Sequence, residues 1–437
     1  MTKVIRMNNF KKILTVQSMN KKLLLLYLFV LFFLPARAWA HEDTVLLGIN
    51  YPLTGPYSVE GLDQIRAARM AVDELNQNGG ILGRRVVLKT RNSNSDEILT
   101  RINVKQLINE GCTMIFGGVS SDVAIAACEV CHANDVLFFG TLTYATATTL
   151  EHARSSCFRE CSDSYMSAQV LGPWLNEHFQ GKRYFYITAD YTWGWNTEQS
   201  IREATGTLDP DVHPRILMPL GSLDFYNALS RASISRADVL VLSLFGKDMA
   251  HALNQARIIG LDEVSQIVIP NLTLGMAERA GFSAMEGVLG TMPWNWKIPY
   301  IYGYSSGQKF VEEFEQRFRR RPSTSGASAY TIVHEYASAV ERAGSFSSQD
   351  VIQALKDHRY SLLKGEQVWR ALDHQSVQTV YLVKGNSPAQ VLSDPLRQDF
   401  FTILDSRPGH EIVLPPEEWK ARRVNKGLAP NIEGRQE

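Results

Sequence analysis

The chain has 437 residues, 45% hydrophobic, 21% charged and 10% aromatic, enough for two or three domain-sized units whose cores need no metal or disulfide framework. Lysine plus arginine and aspartate plus glutamate each number 45, yet residues 1–40 hold seven basic residues and no acidic one. The remainder, 38 basic against 45 acidic residues, is mildly acidic, which excludes the basic face that nucleic acid requires.

That imbalance has a local source. Lys21 and Lys22 precede an unbroken apolar run over 23–34, followed by Pro35 and Ala38-Trp39-Ala40, the basic, apolar and small-residue layout of a secretory signal. The run is shorter than the ~20 residues of a membrane-spanning helix. The expectation is a cleavable signal peptide over 1–40, cut after Ala40, and a periplasmic protein; an uncleaved anchor is the alternative, and a start at Met19 would give the basic region an ordinary size. No cysteine follows the cut, so no lipid anchor is expected there.

Beyond Ala40 the hydrophobic period alternates. Residues 45–49 read as a buried strand, and Ile65, Ala68, Val72 and Leu75 follow helical spacing up to Asn78-Gly79-Gly80. Strands are predicted over 86–90, 113–116 and 136–139, and helices over 98–108 and about 122–132. The pattern restarts with strands over 184–188, 239–244 and 267–269, helices over 197–204, 248–259 and 307–319, and a long stretch over 327–343. Strand–helix alternation in two successive units predicts an α/β protein of two doubly wound, Rossmann-like lobes. After Phe401 the sequence is rich in Pro, Arg and Glu with little periodicity, so 401–437 reads as a surface-draped or mobile tail.

Ligands of open parallel sheets gather at the carboxyl ends of strands. The loops there run Pro52-Leu53-Thr54-Gly55-Pro56-Tyr57, Gly117-Gly118-Val119-Ser120-Ser121 and Gly140-Thr141-Leu142-Thr143, small and hydroxylated with no acid–base pair. Ser120 and Ser121 stand where a helix begins, where free N–H groups and a hydroxyl suit a carboxylate; equally, Ser120 reads as an N-cap and nothing more.

Several stretches resemble the leucine/isoleucine/valine-binding protein family, the type I solute-binding proteins of ABC importers. They are the loop 52–57 just quoted, Ala71-Val72-Asp73-Glu74-Leu75-Asn76, Gly79-Gly80-Ile81-Leu82-Gly83-Arg84, Gly118-Val119-Ser120-Ser121, Ala189-Asp190-Tyr191-Thr192-Trp193-Gly194, and Gln255-Ala256-Arg257-Ile258-Ile259-Gly260-Leu261. The resemblance covers nearly all of 44–385. It implies a type I periplasmic binding fold: two lobes joined by a three-crossover hinge, with 44–162 and 295–372 in one and 163–294 and 373–400 in the other. It also implies a site. Ser120 and Ser121 would receive the ligand's carboxylate, and Thr141, Leu142 and Thr143 would add hydrogen bonds. Trp193, Tyr191 and Phe245 would close from the second lobe, and Glu60 would cover the pocket. Family members that bind α-amino acids place an acid after the strand at 267–269. Here that segment reads Pro270-Asn271-Leu272-Thr273, so Asn271 is the candidate contact and a buried ammonium has no counter-charge there, unless Glu60 substitutes.

Tyr144, Tyr191, Trp193, Trp195, Trp294 and Trp296 fall near the expected cleft, with Trp294 or Trp296 expected in lobe core. Aromatic walls favour an aromatic carboxylate or another small acid with an apolar body. The resemblance implies a monomer that delivers this ligand to an inner-membrane ABC permease; a ligand-sensing module of a signalling system is the alternative. No cofactor, metal or catalysis is expected.

Other signals are set aside. Cys128-Glu129-Val130-Cys131-His132 has the form of a c-type haem attachment site, but Ala124, Ala127, Cys128 and Cys131 share one helical face directed into a core. Of the five cysteines, Cys157 and Cys161 are the pair expected to be bridged. Ser306-Gly307-Gln308-Lys309 lacks the companion motifs of an acyl-transfer enzyme, and His334-Glu335 lacks a second zinc-spaced histidine. Arg319-Arg320-Arg321 reads as the solvated end of a helix, favourably placed for its dipole.

Overall fold

The computed structural model describes residues 44–432; the signal segment expected over 1–40 lies outside them. Strands β1 (Thr44–Tyr51), β2 (Arg85–Asn92), β3 (Cys112–Gly117), β4 (Leu137–Gly140) and β5 (Cys157–Arg159) form one sheet in the order β2-β1-β3-β4-β5, parallel throughout. Both faces are covered, so alternate residues enter different cores. Met114 and Phe116 of β3 join Val45, Leu47 and Ile49 of β1 beneath the helices Ser58–Gln77 and Thr324–Ala343. Ile115, between them, packs with Val104, Leu107, Ala124 and Ala127 of the helices on the other face.

The second sheet repeats the winding. Strands β6 (Tyr184–Ala189), β7 (Arg215–Met218), β8 (Val239–Ser243), β9 (Gln266–Asn271) and β10 (Leu289–Met292) are parallel and are ordered β7-β6-β8-β9-β10. Their alternation divides Phe185, Ile187, Leu240 and Leu242 from Tyr184, Tyr186, Val239 and Val241 into two cores. After a small antiparallel sheet of β11 (Arg359–Tyr360), β12 (Gln367–Trp369) and β13 (Ser376–Val377), strands β14 (Val380–Gly385) and β15 (Phe401–Arg407) add antiparallel to the edge at β10.

The chain passes between the two large sheets near 160–163, 293–296 and 378–379. A buried polar network ties these crossings together. Lys364 Nζ donates to the Pro293 carbonyl and to Gln378 Oε1, the Gln378 amide donates to the Glu160 carbonyl, and Gln367 Nε2 donates to Glu160 Oε1 at 3.0 Å. Burial lowers the Lys364 ammonium to about 8.

Two expectations are corrected. Residues 401–432 are not a mobile tail: β15 is hydrogen-bonded along β14, and Trp419, 1% exposed, packs with Leu150, Ala153 and Leu414 while its Nε1 donates to the Thr149 carbonyl at 2.9 Å. One aromatic anchor on a short, polar helix leaves no periodic signature. The disulfide joins Cys128 to Cys157, with Cα atoms 5.7 Å apart, within bridging range. The stretch after Cys157 is extended, so at ~3.3 Å per residue Cys161 is carried out of reach; its thiol instead accepts the Thr143 N–H at 3.2 Å. The haem alternative fails with it, because Cys128 is bonded and Cys131 is fully buried.

Candidate functional site

In each sheet the strand order reverses at one point, between β1 and β3 and between β6 and β8. Loops leaving such neighbours diverge and open a crevice at the carboxyl ends of the strands. The two crevices face each other. From the first come Tyr57, Glu60 and Ser120–Ser121; from the second come Tyr191, Trp193 and Phe245. Gly117 makes the first crevice possible: its φ is +124°, and a Cβ there would lie 2.4 Å from the Asn50 carbonyl oxygen.

The rings meet across the seam. Phe245, at the start of the helix Gly246–Ile258, has Tyr57 at 5.6 Å, Trp193 at 5.6 Å and Tyr144 at 6.3 Å between ring centroids. Tyr57 and Tyr191 share a hydroxyl–hydroxyl hydrogen bond at 3.2 Å. Tyr57, Leu142, Tyr144, Trp193 and Phe245 are all buried in one cluster, so residues of both lobes form a single apolar wall. The Tyr144 hydroxyl is buried there without a hydrogen-bond partner, and burial drives its acidity well down.

Polar contacts also cross the seam. Thr192 Oγ1 donates to Asp122 Oδ1 at 2.6 Å, and Thr273 Oγ1 donates to Glu60 Oε1 at 3.1 Å. Glu60 is 3% exposed and, among the described residues, its carboxyl has no ion-pair partner. Burial pushes it up to about 7, against the weaker pull of Thr273 and of Arg279. Gly275 permits this approach, since a Cβ there would lie 2.7 Å from Val59 Cγ1 and 2.9 Å from Glu60 Oε1.

The hydroxyls expected to hold a ligand divide by commitment. Ser120 occupies the N-cap position of the helix Ser121–His132, but its side chain makes no capping bond, so the purely capping role fails. Ser121 Oγ accepts the Ala145 N–H at 3.1 Å, which leaves its own proton to donate. Thr141 Oγ1 is turned inward, donating to the Gly118 carbonyl at 2.7 Å. Thr143, 1% exposed, lies beside Gly140 in the same loop. Asn271 closes β9 and is engaged at both ends of its amide: Oδ1 accepts from Trp193 Nε1 at 3.3 Å, and Nδ2 donates to Ser167 Oγ at 2.7 Å.

The expected aromatic residues do not all belong here. Trp195 is 47% exposed and donates to Asp190, while Trp294 packs on Phe310 in the first lobe's core. Tyr144, expected near the cleft, does join the ring cluster, whereas Tyr57, Thr273 and Gln64 stand at the site without being among the expected contacts. Gln64 Nε2 donates to the Gly118 carbonyl at 3.0 Å, leaving Oε1 buried and unpartnered. Tyr57 stands in the quoted loop 52–57, so its signal was present; Gln64 and Thr273 become neighbours of the site only through packing.

Residues 44–390 match the family described as periplasmic binding protein. The Leu/Ile/Val-binding protein BraC3 of Rhizobium johnstonii is 27% identical over 236 residues, 52% of this chain; the match spans 63% of that relative, less than two thirds of its length. Among solved structures, a periplasmic binding protein from Burkholderia mallei superposes with a TM-score of 0.78 at 20% identity, covering 86% of this chain and 98% of that one. An ABC-transporter solute-binding protein from Rhodopseudomonas palustris, solved with 3,4-dihydroxybenzoic acid, gives 0.72 at 18% identity, covering 84% and 98%. The chain belongs to the periplasmic binding protein family, as a type I member of the leucine/isoleucine/valine-binding kind.

Proposed function

We propose that this protein is the periplasmic substrate-binding component of an ABC importer, which closes its two lobes on a small aromatic carboxylate, or another small acid with an apolar body, and leaves it chemically unchanged. The observation that carries this reading is the ring cluster at the facing switch points. Tyr57 and Tyr144 of one lobe meet Trp193 and Phe245 of the other around a phenol with no partner. Flat rings at such spacings suit stacking, at about 0.5–1.5 kcal/mol per pair, and a buried unpartnered hydroxyl gains by receiving a ligand's polar group.

Two features support an acid over an α-amino acid. Asn271 stands where an ammonium would need a negative charge, and its amide is already used twice. Glu60, raised to about 7 by burial, is partly protonated near neutrality and can donate its O–H to a carboxylate, as a carboxylic acid kept neutral by its apolar surroundings does. Ser120 and Ser121 add hydroxyls at a helix amino terminus. Ligand touching both lobes shifts the open–closed balance, and the closed surface is what a permease would recognise.

A thermal-shift screen of aromatic acids, amino acids and amides tests the ligand class, because a ligand of the folded form raises Tm. Calorimetry then compares wild type with the pair Ser121→Ala and Thr143→Ala. Affinity should fall at least tenfold in the double variant; unchanged affinity would sink the site assignment.

A further inference from the structure

The arginine run after the helix Ser305–Phe318 is not a solvated helix end. Arg319 closes the helix with a φ of 55°, and the side chains of Arg320 and Arg321 turn back, only 17% and 11% exposed. This helix belongs to the first lobe, with Phe310 and Phe314 in its core. Arg320 Nη2 donates to Asp63 Oδ2 of the same lobe at 3.1 Å, and also across the seam to Glu278 Oε2 at 3.0 Å. Glu278 lies on the helix Leu274–Ala280, whose Met276 and Ala277 pack in the second lobe's core.

Arg321 makes a parallel reach. It lies 3.8 Å over the Trp296 ring, and its Nη1 donates to Asp394 Oδ2 at 2.7 Å, in the connection between β14 and β15. Gln398 joins the two pairs. Its Oε1 accepts the Arg321 N–H at 2.8 Å, its Nε2 donates to Glu278 Oε1 at 2.5 Å, and its N–H donates to Asp394 at 2.7 Å. Asp63 by itself would satisfy an arginine whose role ended in the first lobe. The bonds to Glu278 and Asp394 exist only while the lobes are together, and opening would return both carboxylates to water without their cations.

We propose that Arg320 and Arg321 form an electrostatic clasp that positions the lobes, holding a population of the closed form before any ligand enters. Charge-assisted pairs of this kind are the stronger class of hydrogen bond, and partly buried ones resist screening more than surface pairs do. The clasp lies apart from the ring cluster, so it acts on affinity through the open–closed balance and not through contact with the ligand.

The clasp rests on the two-lobe closure described above but not on the ligand class, and its test uses no ligand. Spin labels carried on unnatural residues at exposed Arg69 and Ile258 report the interlobe distance by pulsed EPR in the ligand-free protein. Wild type should show a resolved closed population. R320Q and, independently, E278Q should lower the closed-to-open ratio about tenfold, the effect of losing one charge-assisted pair. Arg320→Lys should keep most of it, and raising salt from about 0.05 to 0.5 M should open wild type more than R320Q. E278Q carries the test if R320Q folds poorly, since it leaves the Arg320–Asp63 contact in place. Identical distance distributions in wild type and E278Q, or a wild type that is entirely open, would overturn the clasp. A purely structural role would lower Tm without moving the distances.

Discussion

Glu60→Gln tests the electrostatics of the seam without knowledge of the ligand. In the folded protein burial raises the Glu60 carboxyl from 4.5 to about 7, a difference worth about 3 kcal/mol at ~1.4 kcal/mol per unit. The sign follows from proton binding. Between pH 4.5 and about 7 the folded state holds more of this proton than the unfolded state, so stability falls as pH rises through that window and is level above it. The groups facing the carboxyl are Thr273 and Arg279 from the second lobe and Asp63 on its own helix. Glutamine keeps an oxygen to accept the Thr273 proton and removes the ionisation. The variant should therefore be more stable than wild type by up to about 3 kcal/mol at pH ~8, and nearly equal to it at pH ~4.5. In a chain of this size that is a Tm gain of roughly 5 °C, readable by differential scanning calorimetry on ligand-free protein. A Tm that falls at high pH, or a gap between the two proteins that does not change with pH, would refute the claim that burial outweighs the pull of Arg279 on this carboxyl.

His374 lies flat on Phe158, ring centroids 4.0 Å apart, and burial lowers its imidazole to about 3. Stability from this group is full above pH ~6.5 and declines toward pH ~3 by at most about 1.4 kcal/mol per pH unit; His374→Asn, which tolerates the local φ of 58°, should flatten that acid limb in urea titrations. Trp419→Ala should cost about 3–5 kcal/mol and lower the urea midpoint, whereas a mobile tail would leave the midpoint unmoved. Peptide mapping without reductant should recover Cys128 linked to Cys157. Replacing both with alanine should cost about 3–4 kcal/mol for a closed loop of 29 residues, measured as a drop in Tm.

Hydrophobic period alone marked the strands that became β1, β3, β6 and β8, because parallel strands covered on both faces read as short apolar runs. Loop chemistry after those strands likewise marked where a ligand would sit. Other elements left weaker traces. The helix Ser164–Phe179 carries Pro173 and is largely enclosed, so it shows neither an amphipathic stripe nor an unbroken run. Edge strand β7 has exposed and half-buried residues in alternation, little different from a loop.

What the residues determined by themselves was the class of the molecule: two units of alternating strand and helix, glycine where chains must cross closely, hydroxyls and rings at the loop ends. Which partner each group takes was decided only by the tertiary structure, because those partners are distant in sequence and the contact depends on how elements pack within each lobe and between the two. Thus Glu60 meets Thr273, Cys128 meets Cys157, Trp419 meets Thr149 and Arg320 meets Glu278. Local pattern records the face a side chain occupies; the opposing face, and with it the burial that moves a carboxyl toward neutrality or turns a helix-end arginine into a tie between lobes, exists only once the chain has crossed between its sheets.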